Sequence, residues 1–284
     1  MNFQVEKLDG PFGAAITGLD LREPMDEQTH AAVNKVFVDN VVLCFRDQHL
    51  EEPKDFFEAG KQLGEPMKQV VATYRHPEFD DIEVLTNRQT DERTNNTKPM
   101  TRGGTWHTDH SNMEQPPKAT MLYAIAIPDT GGDTQFINMY MAYDALSDDM
   151  KKQLEGKRAF HSYLSSRAPR KLLERTEEEK AVSDGTWQPL VRLHPETNRK
   201  SLYFNQMRIE HVDGMEHEEG FAFMDKLYAH TYNPEFQYSH QWRLGDVLIW
   251  DDRASLHQAT SNYDQSQLRY MHRMMLIGEK PVLA

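Results

Sequence analysis

Short apolar runs cut by turn residues recur from 105 to 140 and from 189 to 277, and they constrain the fold more than any other feature of this chain. IEVLT (82–86), ATMLYAIAI (119–127), TQFIN after Gly131-Gly132, RAFHSY (158–163) and VLIWDD after an LGD turn have the length and the β-branched or aromatic content of strands. GAAITGLDL, VVLCF (41–45), FQYSHQW, ASLHQA and LRYMHRMMLIG read the same way, and PLVRLH and KSLYFN, joined by PETNR, form a hairpin. Helical spacing appears at 26–39, with Ala32, Val33, Val36 and Phe37 on one face, and at 216–230. It appears again at 53–63, opened by Pro53 and closed by Gly64, and in a short helix capped by Ser147 and reaching Glu155. The expected architecture is mainly β with flanking helices (α+β), closed into a sandwich or jelly-roll barrel whose mouth holds a ligand.

Charge and cysteine content narrow the function classes. The formal net charge of -13 lacks the basic footprint of a nucleic-acid binder. A local basic pocket for a small anion is still compatible with it. Cys44, the one cysteine, sits in VVLCF and reads as a small core residue. The N-terminal stretch MNFQVEKLDG has neither a basic nor an apolar leader region, and no apolar run reaches the ~20 residues of a membrane span. A cytoplasmic protein without nucleic-acid or membrane partners is the expectation.

WHTDHS places His107 and Asp109 two residues apart. In an extended strand such residues share a face, so an imidazole nitrogen and a carboxylate oxygen converge as adjacent metal ligands. The mixed nitrogen and oxygen donors suit iron(II), manganese or zinc. His211 and Asp213 repeat the spacing in RIEHVDGM, but they read as a loop histidine beside a turn. The third-ligand candidate is His257 in IWDDRASLHQAT. Two histidines and one carboxylate form a facial triad that leaves coordination positions open, and zinc is the competing metal.

Arg269, Met271 and Arg273 alternate in the last strand. If their face points inward, two guanidiniums enter one cavity and call for anionic partners. Thr134, in GGDTQF, can add a hydroxyl to one of them.

WHTD, GGDT followed by an aromatic residue, WDDRASLH and RYMHR, in this order and spacing, resemble the iron(II)- and 2-oxoglutarate-dependent dioxygenases of the taurine dioxygenase and 2,4-dichlorophenoxyacetate dioxygenase type. The resemblance runs from GAAITGLDLREPM to the C-terminus. It implies a double-stranded β-helix (jelly-roll) core, with iron(II), 2-oxoglutarate and O2 as cofactor and cosubstrates. By the same resemblance His107, Asp109 and His257 would bind iron. Arg269, helped by Thr134, would bind the distal carboxylate of 2-oxoglutarate. Arg273 would face the anionic end of the substrate, and His76 in YRHPEFDD falls where a sulfonate-contacting histidine is placed. The chain departs from the pattern in having RGGT before WHTD, and WDDR where WDNR is usual.

The implied reaction is oxidation, by hydroxylation, of a small anionic molecule such as a sulfonate, sulfate ester or carboxylate, coupled to decarboxylation of 2-oxoglutarate to succinate and CO2. Desaturation or another biosynthetic oxidation, and a non-catalytic cupin-like metal-binding module, are the alternatives. One dioxygenase domain over 1–284 is expected, with a lid loop at 88–104 and a variable, charged insertion at 164–187 forming a solvated helix or a mobile segment. A homo-oligomer is also implied.

Overall fold

Alternation of side chains across one sheet organises the molecule. The computed structural model describes residues 3–88, 103–169, 174–182 and 184–284. Its main sheet runs Gln4–Lys7, Ala14–Thr17, Val42–Phe45, Val247–Asp251, Ala119–Ala126 and Tyr270–Leu276, and the last strand also pairs with Pro66–Met67 and Ile82–Thr86. The pairing of Ala14–Thr17 with Val42–Phe45 is parallel, and the other pairs of this sheet are antiparallel.

One face of this sheet is covered by two helices, Glu27–Asn40 and Pro53–Leu63. Leu43, Phe45, Met121, Tyr123, Val247, Ile249 and Met274 pack there with Val33, Phe37, Phe56 and Ala59. The residues between them in sequence, Val42, Cys44, Leu122, Ala124, Leu248 and Trp250, point to the other face, where Met271 joins them. There they meet Phe136 and Tyr238 of a smaller sheet, ordered Gln237–His240, Thr134–Asn138, Ser255–Ala259. The two sheets facing one another form the jelly-roll core. A third core lies beyond the smaller sheet, where the helix His217–Thr231 contributes Phe223, Met224, Leu227 and Tyr228.

Local signals account for the helix ends. The Asp26 carboxylate accepts from Thr29 N at 2.7 Å, and the Asp55 carboxylate accepts from Glu52 N at 3.1 Å. Pro53 occupies the first turn of its helix, and Gly64 N bonds Gly60 O. Ser147 Oγ accepts from Met150 N at the start of Asp148–Leu154. Val41, expected to open a strand, instead closes the first helix at φ 68, its N–H bonded to Phe37 O. Burial of its side chain offsets the steric cost of a β-branched residue in this region.

One strand lies where the sequence carries no signal, and two expectations change. Gln4–Lys7 is a strand, exposed along its length, and its polar sequence carries no apolar period. The described part of the expected insertion 164–187 holds a helix, Glu177–Val182, and a strand, Gly185–Pro189, paired with Arg158–Ser162. It is also anchored: the Glu179 carboxylate accepts from Ala72 N and Thr176 N. His211 lies on the strand Ile209–Val212, not in a loop. The proposed lid falls largely at 89–102, and residues 170–173 and 183 of the insertion fall likewise, outside the described residues. Among the described residues no helix is long and apolar enough to cross a membrane.

Phe56 joins helix to sheet, its ring 6.1 Å from Tyr123 and 6.0 Å from His272. Phe56→Ala should destabilise the fold by about 3–5 kcal/mol in urea denaturation, the range for emptying such a site. A loss below about 1 kcal/mol would show that this helix does not depend on the contact.

Candidate metal centre and active site

His107 and Asp109 do not lie in a strand. His107 makes an isolated bridge to His257: His107 N donates to His257 O at 3.0 Å, and His257 N donates to His107 O at 2.7 Å. His257 lies on Ser255–Ala259, in register opposite Phe136. After the bridge the chain turns, with His110 at φ 41. The convergence expected from strand alternation is therefore produced by one bridge followed by a turn. That turn is tied down from several sides. Thr108 Oγ1 donates to Asp252 O, Asn205 Nδ2 donates to Thr108 O at 2.7 Å, and Gln188 Nε2 donates to Ser111 O and Met113 O.

These restraints bring the donors of His107, Asp109 and His257 within 4.8 Å of one another. His107 Nε2 is 3.9 Å from Asp109 Oδ1, and His257 Nε2 is 3.7 Å from Asp109 Oδ2. His107 Nδ1 lies 2.7 Å from Thr105 O. A carbonyl only accepts, so Nδ1 carries a proton, and in the neutral ring this leaves the Nε2 lone pair facing the carboxylate. Burial pushes His257 well below the usual imidazole range, and His107 adds to it. Burial pushes Asp109 up, but the Arg273 guanidinium holds it well below the usual carboxylate range. Two neutral imidazoles and one carboxylate, all turned to one point, fit a divalent ion of the iron, manganese or zinc type.

Behind the ligands lies a second carboxyl. Thr120 Oγ1 is 2.8 Å from Asp109 Oδ2 and 2.7 Å from Asp252 Oδ2. A hydroxyl has one proton and can donate to only one of them. With Asp109 ionised, Asp252 carries the second proton and donates to Thr120. Burial, then the charge of Asp109, push the Asp252 carboxyl well above its usual range, in agreement. Asp252 Oδ1 also accepts from Trp250 Nε1 at 3.2 Å. The neighbouring Asp251 serves a separate cluster, bonding Arg253 and His194.

The triad opens into a cavity of about 160 Å³ as bounded by the described residues. Arg269, Arg273, Thr134, Glu83, Trp250 and Tyr263 are among its walls. Arg269 is buried; its Nε donates to Gly132 O at 3.2 Å and its backbone N to Asn87 Oδ1 at 3.0 Å. Among the described residues no carboxylate lies within ion-pair distance of it. Gly131 and Gly132, at φ 72 and 71, turn the chain so that this carbonyl reaches the guanidinium. Thr134 Oγ1, also buried, accepts from Trp242 Nε1 at 3.1 Å.

Arg273 has no acidic residue on its own strand, but other segments bring two carboxylates to it. Its Nη2 is 2.5 Å from Asp109 Oδ2, and its Nη1 is ion-paired with Glu83. His76, expected at the substrate, does not line the cavity. Its Nδ1 accepts from Glu78 N, closing the His-Pro-Glu turn, and its ring packs on Phe79 and on His272. His272 alternates with Arg273 and packs on Phe56, on the helix side of the sheet, so His76 sits on the wrong face for the cavity.

The sequence profile described as "Taurine catabolism dioxygenase TauD, TfdA family" matches residues 4–275. The chain belongs to the TauD and TfdA dioxygenase family. It is 31% identical over 282 residues to the alpha-ketoglutarate-dependent 2,4-dichlorophenoxyacetate dioxygenase of Cupriavidus pinatubonensis, covering 95% of this chain and 96% of that one. It is 30% identical to the alpha-ketoglutarate-dependent sulfate ester dioxygenase of Pseudomonas putida, over 99% of this chain and 92% of the other. The crystal structure of AAD-2 in complex with Mn(II) and N-oxalylglycine superposes with a TM-score of 0.82 at 30% identity, with both chains covered in full. The chain is thus an enzyme, a 2-oxoglutarate-dependent dioxygenase, and the reading as a non-catalytic cupin-like module falls.

Glu83 and Trp242 escaped the sequence reading. Glu83 carried a signal, since a lone acid at an alternating position of the apolar strand IEVLT stands on the same side as Leu85, also a cavity wall. Trp242 carried none, because only the fold brings it to Thr134.

Asp252→Asn should keep the hydrogen bonds, with the amide donating to Thr120. The metal-free wild type should lose stability relative to Asp252→Asn as pH rises from about 4, the unfolded carboxyl value, toward the raised folded value. Asp252→Ala should cost about 1–3 kcal/mol by orphaning Trp250 Nε1 and Thr120. Parallel pH–stability curves for wild type and Asp252→Asn would contradict the protonated carboxyl.

Proposed function

We propose that this dioxygenase hydroxylates a small organic acid, such as a sulfonate, sulfate ester or carboxylate, while 2-oxoglutarate is decarboxylated to succinate and CO2. The observation that carries the reading is Arg269: a buried cation, without a carboxylate among the described residues, in the same cavity as His107, Asp109 and His257. An unpaired buried guanidinium is costly unless an anion completes it, and the distal carboxylate of 2-oxoglutarate would do so.

In this reading His107, Asp109 and His257 hold iron(II). When bound, iron(II) supplies the activation of dioxygen that divides one oxygen atom to succinate and one to the substrate. The chain's own residues position and shield. Arg269, oriented by Gly132 O and Asn87, fixes 2-oxoglutarate at the end away from the metal, and the Thr134 hydroxyl, held by Trp242, stands beside that carboxylate. Arg273 holds Asp109 in place and brings a cation to the acidic end of the substrate. Trp250, Leu122 and Leu85 keep that part of the cavity apolar, so a carbon can be held against the metal while water is excluded.

Residues 1–284 act as one dioxygenase domain in this reading, with 88–104 as its lid. A cytoplasmic location agrees with one buried, unpaired cysteine. A homo-oligomer rests on the family resemblance alone.

The test is succinate formation from 2-oxoglutarate with iron(II) and air, with and without candidate acids. Substrate-stimulated succinate is expected, and absence of all turnover would sink the reading. Arg269→Ala should raise KM for 2-oxoglutarate on the order of 10- to 100-fold, the loss of a charge-assisted hydrogen bond pair. An unchanged KM would remove Arg269 from that role.

A further inference from the structure

Tyr238, His240 and Trp242 alternate along the edge strand Gln237–His240 and the residues after it. Antiparallel partners share a face, and His240 stands opposite Thr134 on the neighbouring strand. Trp242, two residues on, reaches the same threonine: its Nε1 donates to Thr134 Oγ1 at 3.1 Å. An indole N–H only donates, so this bond occupies a lone pair of the hydroxyl and leaves the hydroxyl proton free. Thr134 is 2% exposed and lies in the wall of the cavity that also holds Arg269. Among the described residues nothing accepts its proton. A buried donor left without an acceptor is costly, and the cavity is where an acceptor can be supplied.

We propose that Trp242 is a positioning residue for 2-oxoglutarate. By holding a lone pair of Thr134 Oγ1, the indole fixes the hydroxyl so that its proton points into the cavity, at a carboxylate oxygen of the cosubstrate beside Arg269. This rests on the dioxygenase reading above. Trp242 does not line the cavity and acts through Thr134.

One carboxylate brackets the indole. Asp246 Oδ2 accepts from His240 Nε2 at 3.2 Å, two residues before Trp242, and from the backbone N of Arg243 at 2.9 Å, directly after it. Arg46 Nη1 pairs with the same oxygen at 2.5 Å. With Nε2 donating, the neutral His240 ring accepts the Tyr238 hydroxyl on Nδ1 at 2.9 Å. Burial holds this imidazole below its usual range, in agreement. Its ring meets the indole edge-on, with centroids 4.8 Å apart at 84°. Residues outside the cavity therefore set the direction of the indole N–H. A free hydroxyl divides among about three staggered orientations. A hydroxyl that already accepts one hydrogen bond has fewer orientations left and donates the next more strongly.

The experiment is a double-mutant cycle on 2-oxoglutarate binding to the zinc-loaded protein, where no turnover intervenes, read by titration calorimetry. Trp242→Phe should raise Kd about 3- to 10-fold, and Thr134→Val about 10-fold or more. In the Thr134→Val background, Trp242→Phe should change Kd by less than about twofold. An indole that only packs would cost the same factor in both backgrounds. That additive result, or an unchanged Kd in a folded Trp242→Phe protein, would overturn the proposal. If Trp242→Phe does not fold, nuclear magnetic resonance of the zinc-loaded wild type decides. The Trp242 indole N–H signal should move downfield on adding 2-oxoglutarate, because the Thr134 oxygen becomes a better acceptor once it donates; an unmoved signal would overturn the proposal. A wild type that binds no 2-oxoglutarate with either zinc or iron(II) defeats the dioxygenase reading as well, whereas binding with an additive cycle defeats this inference only.

Discussion

Two backbone hydrogen bonds, exchanged between His107 and His257, hold the site together. They join a segment with no strand of its own to the edge of the smaller sheet. The ring centroids stand 4.2 Å apart as a result. The turn at His110 then swings Asp109 back towards both imidazoles. The rest of the molecule supports this bridge. The jelly-roll core fixes Ser255–Ala259, while Asn205, Gln188 and Asp252 fix the approach to it from the other side. Metal ligands held by such restraints lose little entropy on binding, which is what preorganisation means physically.

Electrostatics supply the second constraint. Asp109, Asp252, Glu83 and Arg269 are buried, and Arg273 is nearly so, around one small cavity. Ionised groups persist in such a place only when paired or completed by a ligand. Arg273 is paired twice. Asp252 resolves its conflict with Asp109 by keeping its proton and donating through Thr120. Arg269 has neither solution among the described residues, which makes it the strongest indication of an anionic cosubstrate. The exchange of WDNR for WDDR is accommodated because a protonated carboxyl, like an amide, can donate to the Thr120 hydroxyl.

Much of this was legible in the sequence. Pro53–Leu63, Ile82–Thr86 and Thr134–Asn138 were readable because caps, turn glycines and period-two alternation are local properties. His107, Asp109 and His257 were readable because few residue types bind metal and the motifs around them keep a recognisable order. Other features depend on partners distant in sequence. Gln4–Lys7 becomes a strand only by pairing with Ala14–Thr17. Glu179 reads as one of several surface acids until its bond to Ala72 is seen. His76 matched a position in a motif, but the turn it closes points it to the helix side. In the sequence Arg273 awaits an anion, because its partner Glu83 lies on a different strand.

The most direct test of the account is anaerobic titration of the metal-free chain with iron(II) and 2-oxoglutarate, followed in the visible spectrum. Saturation at one iron per chain, with a weak charge-transfer band that needs both components and disappears in His257→Ala, is the predicted result. Iron binding unaffected by His257→Ala, or no band at saturating 2-oxoglutarate, would contradict the assignment of His107, Asp109 and His257 as the metal centre facing Arg269.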